Sequence, residues 1–347
     1  MSTQLGTLEE LPQDYRDAMS HVAVAPLWPQ MRKVLPHDAP MPVTKAHCWA
    51  FNDIRPLLLR AGELTPVEKA ERRVLFLVDP GRGAGAMQAT STIYVGMQLL
   101  LPGETAPAHK HTPSAARIVV EGEGGYTVVD GDHLPMEPGD LILTPGGCWH
   151  DHGHSGNKPV IWLDALDLPL FYYLEASYAV EAPLQTPRNR PDPSEVEYRA
   201  AGLAPARRRD IAPAPSYPMM RFPWKRTEEA LRAYARHGDG GIVELDYINP
   251  ETGASCLPTL GFTAMMLRQG KSVTPVRRSA SAVFHVVAGK GHSTINGQRH
   301  DWAAKDVISA PVFAAIEHVA EGDDAFLIRI HDAPLQEKLG FYEERSQ

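Results

Sequence analysis

Short apolar runs separated by turn residues dominate the chain from about residue 91 onward. The stretch Ser91–Glu104 is apolar and strand-like, and residues 116–145 alternate short β-branched runs with Glu-Gly, Asp-Gly and Pro-Gly turns. Short strands at turn spacings of about 8–12 residues are typical of a β-barrel or sandwich. The pattern returns in residues 259–311, where AGKGHSTINGQ matches the earlier EGEGGYTVVDGD. The chain is therefore predicted to be dominated by β-structure and to contain a duplicated β-domain.

The residues outside the two β-patterns suggest a helical arm and a linker. The sequence pattern of the first seventy residues predicts helices with breaks, with Thr7 as a candidate N-cap. A second capped helix is predicted from Thr65, with Arg73 near its end. Prolines are frequent in residues 181–223, and a helix ending at Gly238 follows. We predict a helical N-terminal arm (1–90), a first β-domain (91–180), a proline-rich linker (181–223), and a helix with a second β-domain (224–347).

Composition narrows the functional classes. A net charge of −8 over 347 residues gives no support to a nucleic-acid surface. The three cysteines are far apart and do not suggest a disulfide framework, which favours a reducing compartment. No apolar stretch approaches the length of a membrane span, and the acidic start lacks the features of a signal peptide. We expect a cytoplasmic protein that contacts neither nucleic acid nor membrane.

Histidines cluster at two places in the first β-pattern. His109 and His111 are separated by one residue, so on a strand both point to the same face. Downstream, the segment PGGCWHDHGH supplies His150 and, on the same parity, His152. Either cluster alone is weak evidence for metal, since histidines often occupy half-exposed strand positions. Together they predict a metal site built from neutral imidazoles inside a barrel.

The spacing around these histidines resembles the two motifs of the cupin family. Gly103, His109, His111 and Gly122 match the first motif, and residues 139–150 match the second from Gly139 to His150. The resemblance implies two jelly-roll barrels, a bicupin. One departure is informative, because the usual motif has a glutamate ligand after the second histidine, where this chain has alanines at 115 and 116. That leaves three histidines without the carboxylate of a two-His-one-carboxylate site, an arrangement suited to an anionic, chelating ligand.

Over nearly its whole length the sequence resembles the gentisate 1,2-dioxygenase family of bicupins, whose relatives cleave salicylate and 1-hydroxy-2-naphthoate. The stretches that carry this resemblance are MQLLLPGETAPAHKHTPSAARIVVEGEGGYTVVDGD and PGDLILTPGGCWHDHG. The resemblance implies Fe(II) on His109, His111 and His150, chelated by the substrate carboxylate and ortho-hydroxyl. It also implies that O2 is inserted between the carboxyl- and hydroxyl-bearing ring carbons, so that gentisate gives maleylpyruvate. Family members are typically homotetramers.

The same resemblance implies roles for residues around the three histidines. Arg117 matches an arginine that contacts the substrate carboxylate, a task suited to a guanidinium, and Arg73 resembles a second arginine supplied by the arm. The remaining expected substrate-binding residues are Tyr94, Gly96, Gln98 and His152. Gly96 is expected to leave space that widens the range of accepted rings. His152 is a candidate proton relay, and Asp164 is a carboxylate expected to orient His152 or Arg117.

The second β-domain lacks the metal-binding residues. The place of the histidine pair reads PVRRSAS, with Arg277, Arg278 and Ser279, and the place of His150 falls near Ile316. We expect one iron per chain, in the first barrel. Three alternatives remain open: a salicylate or 1-hydroxy-2-naphthoate 1,2-dioxygenase, a metal- or ligand-binding cupin without redox chemistry, and an isomerase using zinc or manganese.

Overall fold

The computed structural model describes residues 5–206, 216–238, 240–271 and 275–346. The chain divides into a short N-terminal unit that ends at Val43 and a second unit from Thr44 onward. In the described part of the first unit, helix α1 spans Gln13–His21, a 3-10 turn spans Trp28–Gln30, and α2 spans Met31–Val34. Helix α1 begins after Pro12 and not at Thr7, whose backbone N–H instead bonds the Glu10 carboxylate.

The second unit opens with helices that alternate with two short strands. These elements are β1 (His47–Trp49), α3 (Phe51–Leu64), α4 (Val67–Ala70) and β2 (Arg73–Phe76). Thr65 ends α3 instead of starting a helix, and the positive φ of Glu71 terminates the single turn of α4. The apolar, β-branched run that starts at Arg73 then extends as a strand. Arg73 therefore lies on a strand and not near the end of a helix.

The first barrel is made of two antiparallel sheets. Its strands are β3 (Tyr94–Leu100), β4 (Thr105–His111), β5 (Ala115–Glu121), β6 (Gly125–Val129), β7 (Asp132–Met136), β8 (Leu141–Thr144), β9 (His150–His154) and β10 (Val160–Leu166). The next elements are α5 (Leu168–Tyr173), β11 (Ala179–Ala182), α6 (Pro193–Val196), β12 (Arg221–Phe222) and α7 (Trp224–Ala235). One sheet has the order β12-β8-β5-β10-β3-β2 and the other the order β11-β4-β9-β6-β7.

The second barrel repeats this arrangement strand for strand. Its elements are β13 (Ile242–Asp246), β14 (Gly261–Leu267), β15 (Val276–Arg278), β16 (Ala282–Ala288), β17 (Lys290–Ile295), β18 (Gln298–Ala303), β19 (Val307–Ala310), β20 (Ile316–Ala320), β21 (Ala325–His331), α8 (Ala333–Leu339) and β22 (Glu344–Ser346). Its sheets are β1-β19-β16-β21-β14-β13 and β18-β17-β20-β15-β22. The predicted duplication and bicupin fold are confirmed.

Edge strands are exchanged between the two barrels. Strand β1 precedes the first barrel in the chain but pairs with β19 of the second, while β12, from the predicted linker, pairs with β8 of the first. The exact domain boundaries stay a prediction, and residues 207–215 of the linker lie outside the described part of the chain. None of the helices in the described residues combines the length and the apolar stretch that crossing a bilayer requires.

The two faces of strand β3 serve different parts of the molecule, one the hydrophobic core and the other the interior of the first barrel. In β3, Val95, Met97 and Leu99 pack into a hydrophobic cluster that also contains Phe262 and Ala264 of the second barrel. The intervening positions of β3 point to the opposite face of the sheet. The same six-stranded sheet thus supports the inter-barrel core with one face and the interior of the first barrel with the other.

Candidate active site

Three histidines converge inside the first barrel. His109 and His111 share one face of β4, and His109 lies directly opposite His150 of β9 in the strand register. Each of the three offers one ring nitrogen, and these atoms all lie within 4.8 Å of one another. The ring centroids of His109 and His150 are 4.0 Å apart, and those of His111 and His150 are 4.9 Å apart. This spacing allows all three imidazoles to bind one cation.

Backbone carbonyls orient two of these rings. His111 Nδ1 lies 2.6 Å from the carbonyl oxygen of Pro113, and His150 Nδ1 lies 3.1 Å from that of Cys148. Since a carbonyl only accepts, both Nδ1 atoms donate, and the proton-free lone pair of each neutral ring is on Nε2. His150 Nε2 is buried and has no hydrogen-bond partner among the described residues. A buried acceptor without a partner, next to two further imidazoles, fits a metal ion.

The local electrostatics keep these rings neutral. Burial lowers the pKa of His109 to about 2, aided by the positive charge of Arg72, and burial also lowers the pKa of His111 to about 4. The pKa of His150 is lowered well below its ordinary value, chiefly by burial and then by the charge of Arg117. Neutral imidazole is the form that binds a metal. Protons therefore compete little with a cation at neutral pH.

A cavity of about 240 Å³ opens beside the histidine cluster. It is lined by His109, His111, two arginines, Asp164 and a largely apolar wall, which comprises Val74, Phe76, Met87, Tyr94, Ala115, Leu166 and Leu168, with Gln98 as a further polar residue. An apolar wall with a few polar groups at one end is typical of a site for a small amphiphilic ligand.

Arg117 and Asp164 form the buried ion pair of this cavity. They face each other across β5 and β10, and Arg117 Nε lies 3.0 Å from Asp164 Oδ1. The N–H is not directed at that oxygen, so neither atom gains a hydrogen bond from the contact. Arg117 Nη1 donates to Thr144 Oγ1 at 2.8 Å, and Trp162 Nε1 donates to Asp164 Oδ2 at 2.9 Å. Burial raises the pKa of Asp164, and the neighbouring Arg117 opposes that shift.

The second arginine that lines the cavity is Arg72, whereas the family resemblance pointed to Arg73, whose role stays a prediction. Arg73 is directed away from the cavity, where it pairs with Glu104 and donates to the Gly62 carbonyl oxygen at 3.3 Å. Arg72 lines the cavity and contacts His109 Nδ1 through Nη2. Successive residues near a strand point to opposite faces, so only one of these two neighbouring arginines faces the cavity.

Gly96 has a different role from the one expected. A Cβ at this position would lie 2.5 Å from Val74 Cγ1 and 2.7 Å from the Tyr94 hydroxyl oxygen. The space above Gly96 is thus already filled by these two side chains, and Gly96 itself does not line the cavity. The glycine instead lets Tyr94 fold over the strand. Tyr94 and Gln98, on the same face of β3, do line the cavity.

His152 lies behind the metal-binding cluster. It is 1 % exposed, does not line the cavity, and its ring centroid is 5.8 Å from that of His150. Its Nδ1 is 2.7 Å from Thr127 Oγ1, while its buried Nε2 has no hydrogen-bond partner in the described part of the chain. Asp164 is not among its hydrogen-bond partners there and pairs with Arg117 instead.

A second group of metal-type donors lies on the surface of the second barrel. His292, Asp301 and Glu321 could together reach one ion. Arg299, however, already pairs with both carboxylates, at 2.7 Å to Asp301 and 3.0 Å to Glu321. This cluster is therefore a charge network with its own cation. At the three positions of the first barrel's histidines, the second barrel has Val276, Arg278 and Ile316.

Comparison with known proteins agrees with the geometry. The cupin domain family model matches residues 96–166. The chain is 45% identical to a gentisate 1,2-dioxygenase of Ralstonia sp, covering 99% of this chain and 97% of the relative, and 36% identical to a 5-aminosalicylate 1,2-dioxygenase of Comamonas sp, covering 94% and 88%.

A solved structure extends the likeness to three dimensions. The crystal structure of salicylate 1,2-dioxygenase from Pseudoaminobacter salicylatoxidans, in an adduct with gentisate, superposes with a TM-score of 0.89 at 30% identity, covering 100% of this chain and 96% of that one. Similarity in sequence and fold over nearly the full length, together with the three-histidine cluster, places this chain in the gentisate 1,2-dioxygenase family of bicupins.

Proposed function

We propose that this protein is an Fe(II)-dependent ring-cleaving dioxygenase that acts on gentisate. One O2 is consumed, the bond between the carboxyl-bearing and the adjacent hydroxyl-bearing carbon breaks, and both oxygen atoms enter the product, maleylpyruvate. The observation that carries the proposal is a cluster of three neutral imidazoles beside a cavity that two of these histidines and two arginines line. The names of its relatives support the choice of gentisate.

The charge of the cavity favours an organic acid. Arg72 and Arg117 bring two positive charges and Asp164 at most one negative charge, while three neutral histidines would leave the charge of a divalent ion uncompensated. A guanidinium binds a carboxylate through two parallel hydrogen bonds. We assign Arg117 and Arg72 to the substrate carboxylate, and the apolar wall from Val74 to Leu168 to the aromatic ring.

The histidine cluster would hold the iron. Imidazole suits ferrous iron, and the absence of a carboxylate ligand from the described cluster matches a site that takes its anionic ligand from the substrate. When bound, the ion supplies the Lewis acidity and the redox chemistry of oxygen activation. Asp164 holds the Arg117 guanidinium in place, Gln98 offers a polar contact at the cavity wall, and Tyr94 sets the cavity width above Gly96.

His152 is proposed as a proton relay. Its unpartnered Nε2 lies beside the histidine cluster, and its Nδ1 is fixed by Thr127. Because burial lowers its pKa well below the ordinary value, the ring is neutral at rest, and as a relay it would pass a proton on and not keep it. We further propose a cytoplasmic location and a homotetramer, both carried over from the sequence analysis.

Oxygen uptake on protein loaded anaerobically with Fe(II) tests the function. We expect gentisate to drive stoichiometric O2 consumption and formation of the ring-opened acid, and a variant His111→Ala to show neither. Salicylate and 1-hydroxy-2-naphthoate, assayed in parallel, distinguish the substrate alternatives. Binding of gentisate without oxygen consumption would instead favour a non-redox cupin. Isomerisation of a substrate with zinc or manganese but not with iron, and without oxygen consumption, would favour an isomerase.

A further inference from the structure

The second barrel has a cavity at the place where the first barrel has its candidate active site. Two adjoining cavities of about 80 and 30 Å³ share lining residues from both sheets, namely Val276, Arg278, Phe284, Ile316 and Arg329. The strand registers relate them to the first barrel. Val276 faces Ile316 as His109 faces His150, and Ser293 faces His318 as Thr127 faces His152.

At these equivalent positions the second barrel lacks the metal ligands and the carboxylate of the first barrel and has guanidinium groups and apolar side chains. Arg278 takes the position of His111. Strand β21 lies between β14 and β16, just as β10 lies between β3 and β5, and Arg329 of β21 takes the position of Asp164 of β10. Phe284 takes the position of Arg117. The second barrel thus replaces metal ligands and a carboxylate with apolar groups and two guanidinia, which donate hydrogen bonds and accept none.

His318 adds a third donor. Trp302 Nε1 lies 2.9 Å from Ser293 Oγ, and Ser293 Oγ lies 2.7 Å from His318 Nδ1. Because the indole N–H only donates, the serine oxygen accepts from it. The serine hydroxyl can then donate its own hydrogen bond to His318 Nδ1. Burial lowers the pKa of His318 to about 3, so the ring is neutral, and a hydrogen bond donated by Ser293 to Nδ1 leaves its proton on Nε2. His318 lines the larger cavity, which therefore receives a donor and not a lone pair.

Arg329 has one N–H that no described residue accepts, and Arg278 has an exposed ion-pair partner. Glu244 lines the larger cavity, where it accepts from Arg329 at 2.9 Å and lies 3.9 Å from Arg278. Arg329 also donates to Thr263 at 3.1 Å, but its buried Nε has no hydrogen-bond partner among the described residues. Arg278 pairs with Glu344 at 3.0 Å, and that carboxylate belongs to the C-terminal strand and is 48% exposed. An exposed glutamate is a weak partner that an external carboxylate can replace.

We propose that the second barrel is a metal-free site for a small monocarboxylate. Arg278, Arg329 and His318 bind the carboxylate, and Phe284 and Ile316 contact a short alkyl chain. The larger cavity, about 80 Å³, has about a third of the 240 Å³ of the first barrel's cavity, so a short aliphatic acid fits better than an aromatic ring. Glu344 competes with the ligand for Arg278.

Titration calorimetry of the full chain with propionate, in a buffer free of carboxylates, tests this site. We expect Arg278→Gln and Arg329→Gln each to weaken propionate binding by about tenfold or more, as the loss of a charge-assisted hydrogen bond predicts. Glu344→Gln should strengthen binding, a gain that misfolding does not produce. Propionamide, which has the same shape but no charge, should bind at least about tenfold more weakly than propionate.

Two control variants separate this site from other cationic groups. Arg299→Gln alters an exposed arginine of the same barrel and should leave the affinity unchanged. Arg117→Gln alters the first barrel and should also leave this binding event in place. The proposal is overturned if folded Arg278→Gln and Arg329→Gln proteins bind propionate like the wild type, if Glu344→Gln brings no gain, or if Arg117→Gln alone abolishes binding.

Discussion

Replacement of Arg117 by methionine separates substrate recognition from stability. Methionine keeps much of the volume of the side chain but removes the charge, so Asp164 is left buried without its cation. Breaking a buried pair in this way costs about 3–5 kcal/mol of unfolding free energy. In the proposed function the same change removes a bidentate contact to the substrate carboxylate, which we expect to lower kcat/KM by about 100-fold or more.

The double variant Arg117→Met with Asp164→Asn distinguishes the two effects. Removing the orphaned carboxylate should restore most of the stability, while kcat/KM stays low because the guanidinium is still missing. Stability is measured by urea unfolding, kcat/KM by initial rates of oxygen uptake, and iron by metal analysis, which should be unchanged in both variants. Normal kcat/KM in the single variant, or recovery of kcat/KM in the double variant, would refute the assigned role of Arg117.

The pH dependence of the single variant provides a further check. Burial already raises the pKa of Asp164 in the folded protein, and loss of Arg117 removes the charge that opposes this shift. A carboxyl group with a raised folded-state pKa binds more protons in the folded than in the unfolded chain, so its stability contribution is lost as the pH rises above the unfolded value of about 4. The deficit relative to wild type should therefore be larger at pH 7 than at pH 4.

Four further single variants test the rest of the site. His111→Ala should abolish iron binding, read by metal analysis, while circular dichroism shows a folded barrel, because the hydrophobic core does not include the histidines. Arg72→Met should raise the KM for gentisate about tenfold or more. Arg73→Met should mainly lower the midpoint of urea unfolding. A raised KM in Arg73→Met with a normal KM in Arg72→Met would instead favour Arg73 as the substrate-binding arginine. Gly96→Ala should change the relative rates with gentisate and salicylate, because its Cβ meets Val74 Cγ1 at 2.5 Å; if the added Val74→Ala does not reverse the change, this explanation fails.

The metal cluster could be predicted from sequence because it follows from strand alternation and from the spacing of two motifs. His109 and His111 share a face through the two-residue period of a strand, and a turn with Gly147 in a positive-φ conformation brings His150 opposite them. These features depend only on short-range backbone rules and on the spacing of the two motifs. The ion pair of Arg117 and Asp164 joins strands that are distant in the chain, and for it the sequence offered only a family resemblance.

The surroundings of Arg73 and Gly96 differ from those expected because they depend on contacts between separate elements. Arg72 and not Arg73 lines the cavity, and residues 67–76 change from a helix to a strand after the positive φ of Glu71. The crowding around Gly96 depends on how Tyr94 and Val74 meet across neighbouring strands, which a single strand pattern does not contain. Side-chain packing between strands is the part that only the structure supplies.

The exchange of β1 and β12 makes the two barrels mutually dependent. A cut in the segment between them would leave an N-terminal fragment that keeps β1 but lacks its partner β19, and a C-terminal fragment that keeps β12 but lacks β8. Each fragment would then expose an unpaired sheet edge and one half of the shared hydrophobic cluster. Separate expression of either barrel is therefore expected to require that its missing edge strand be supplied.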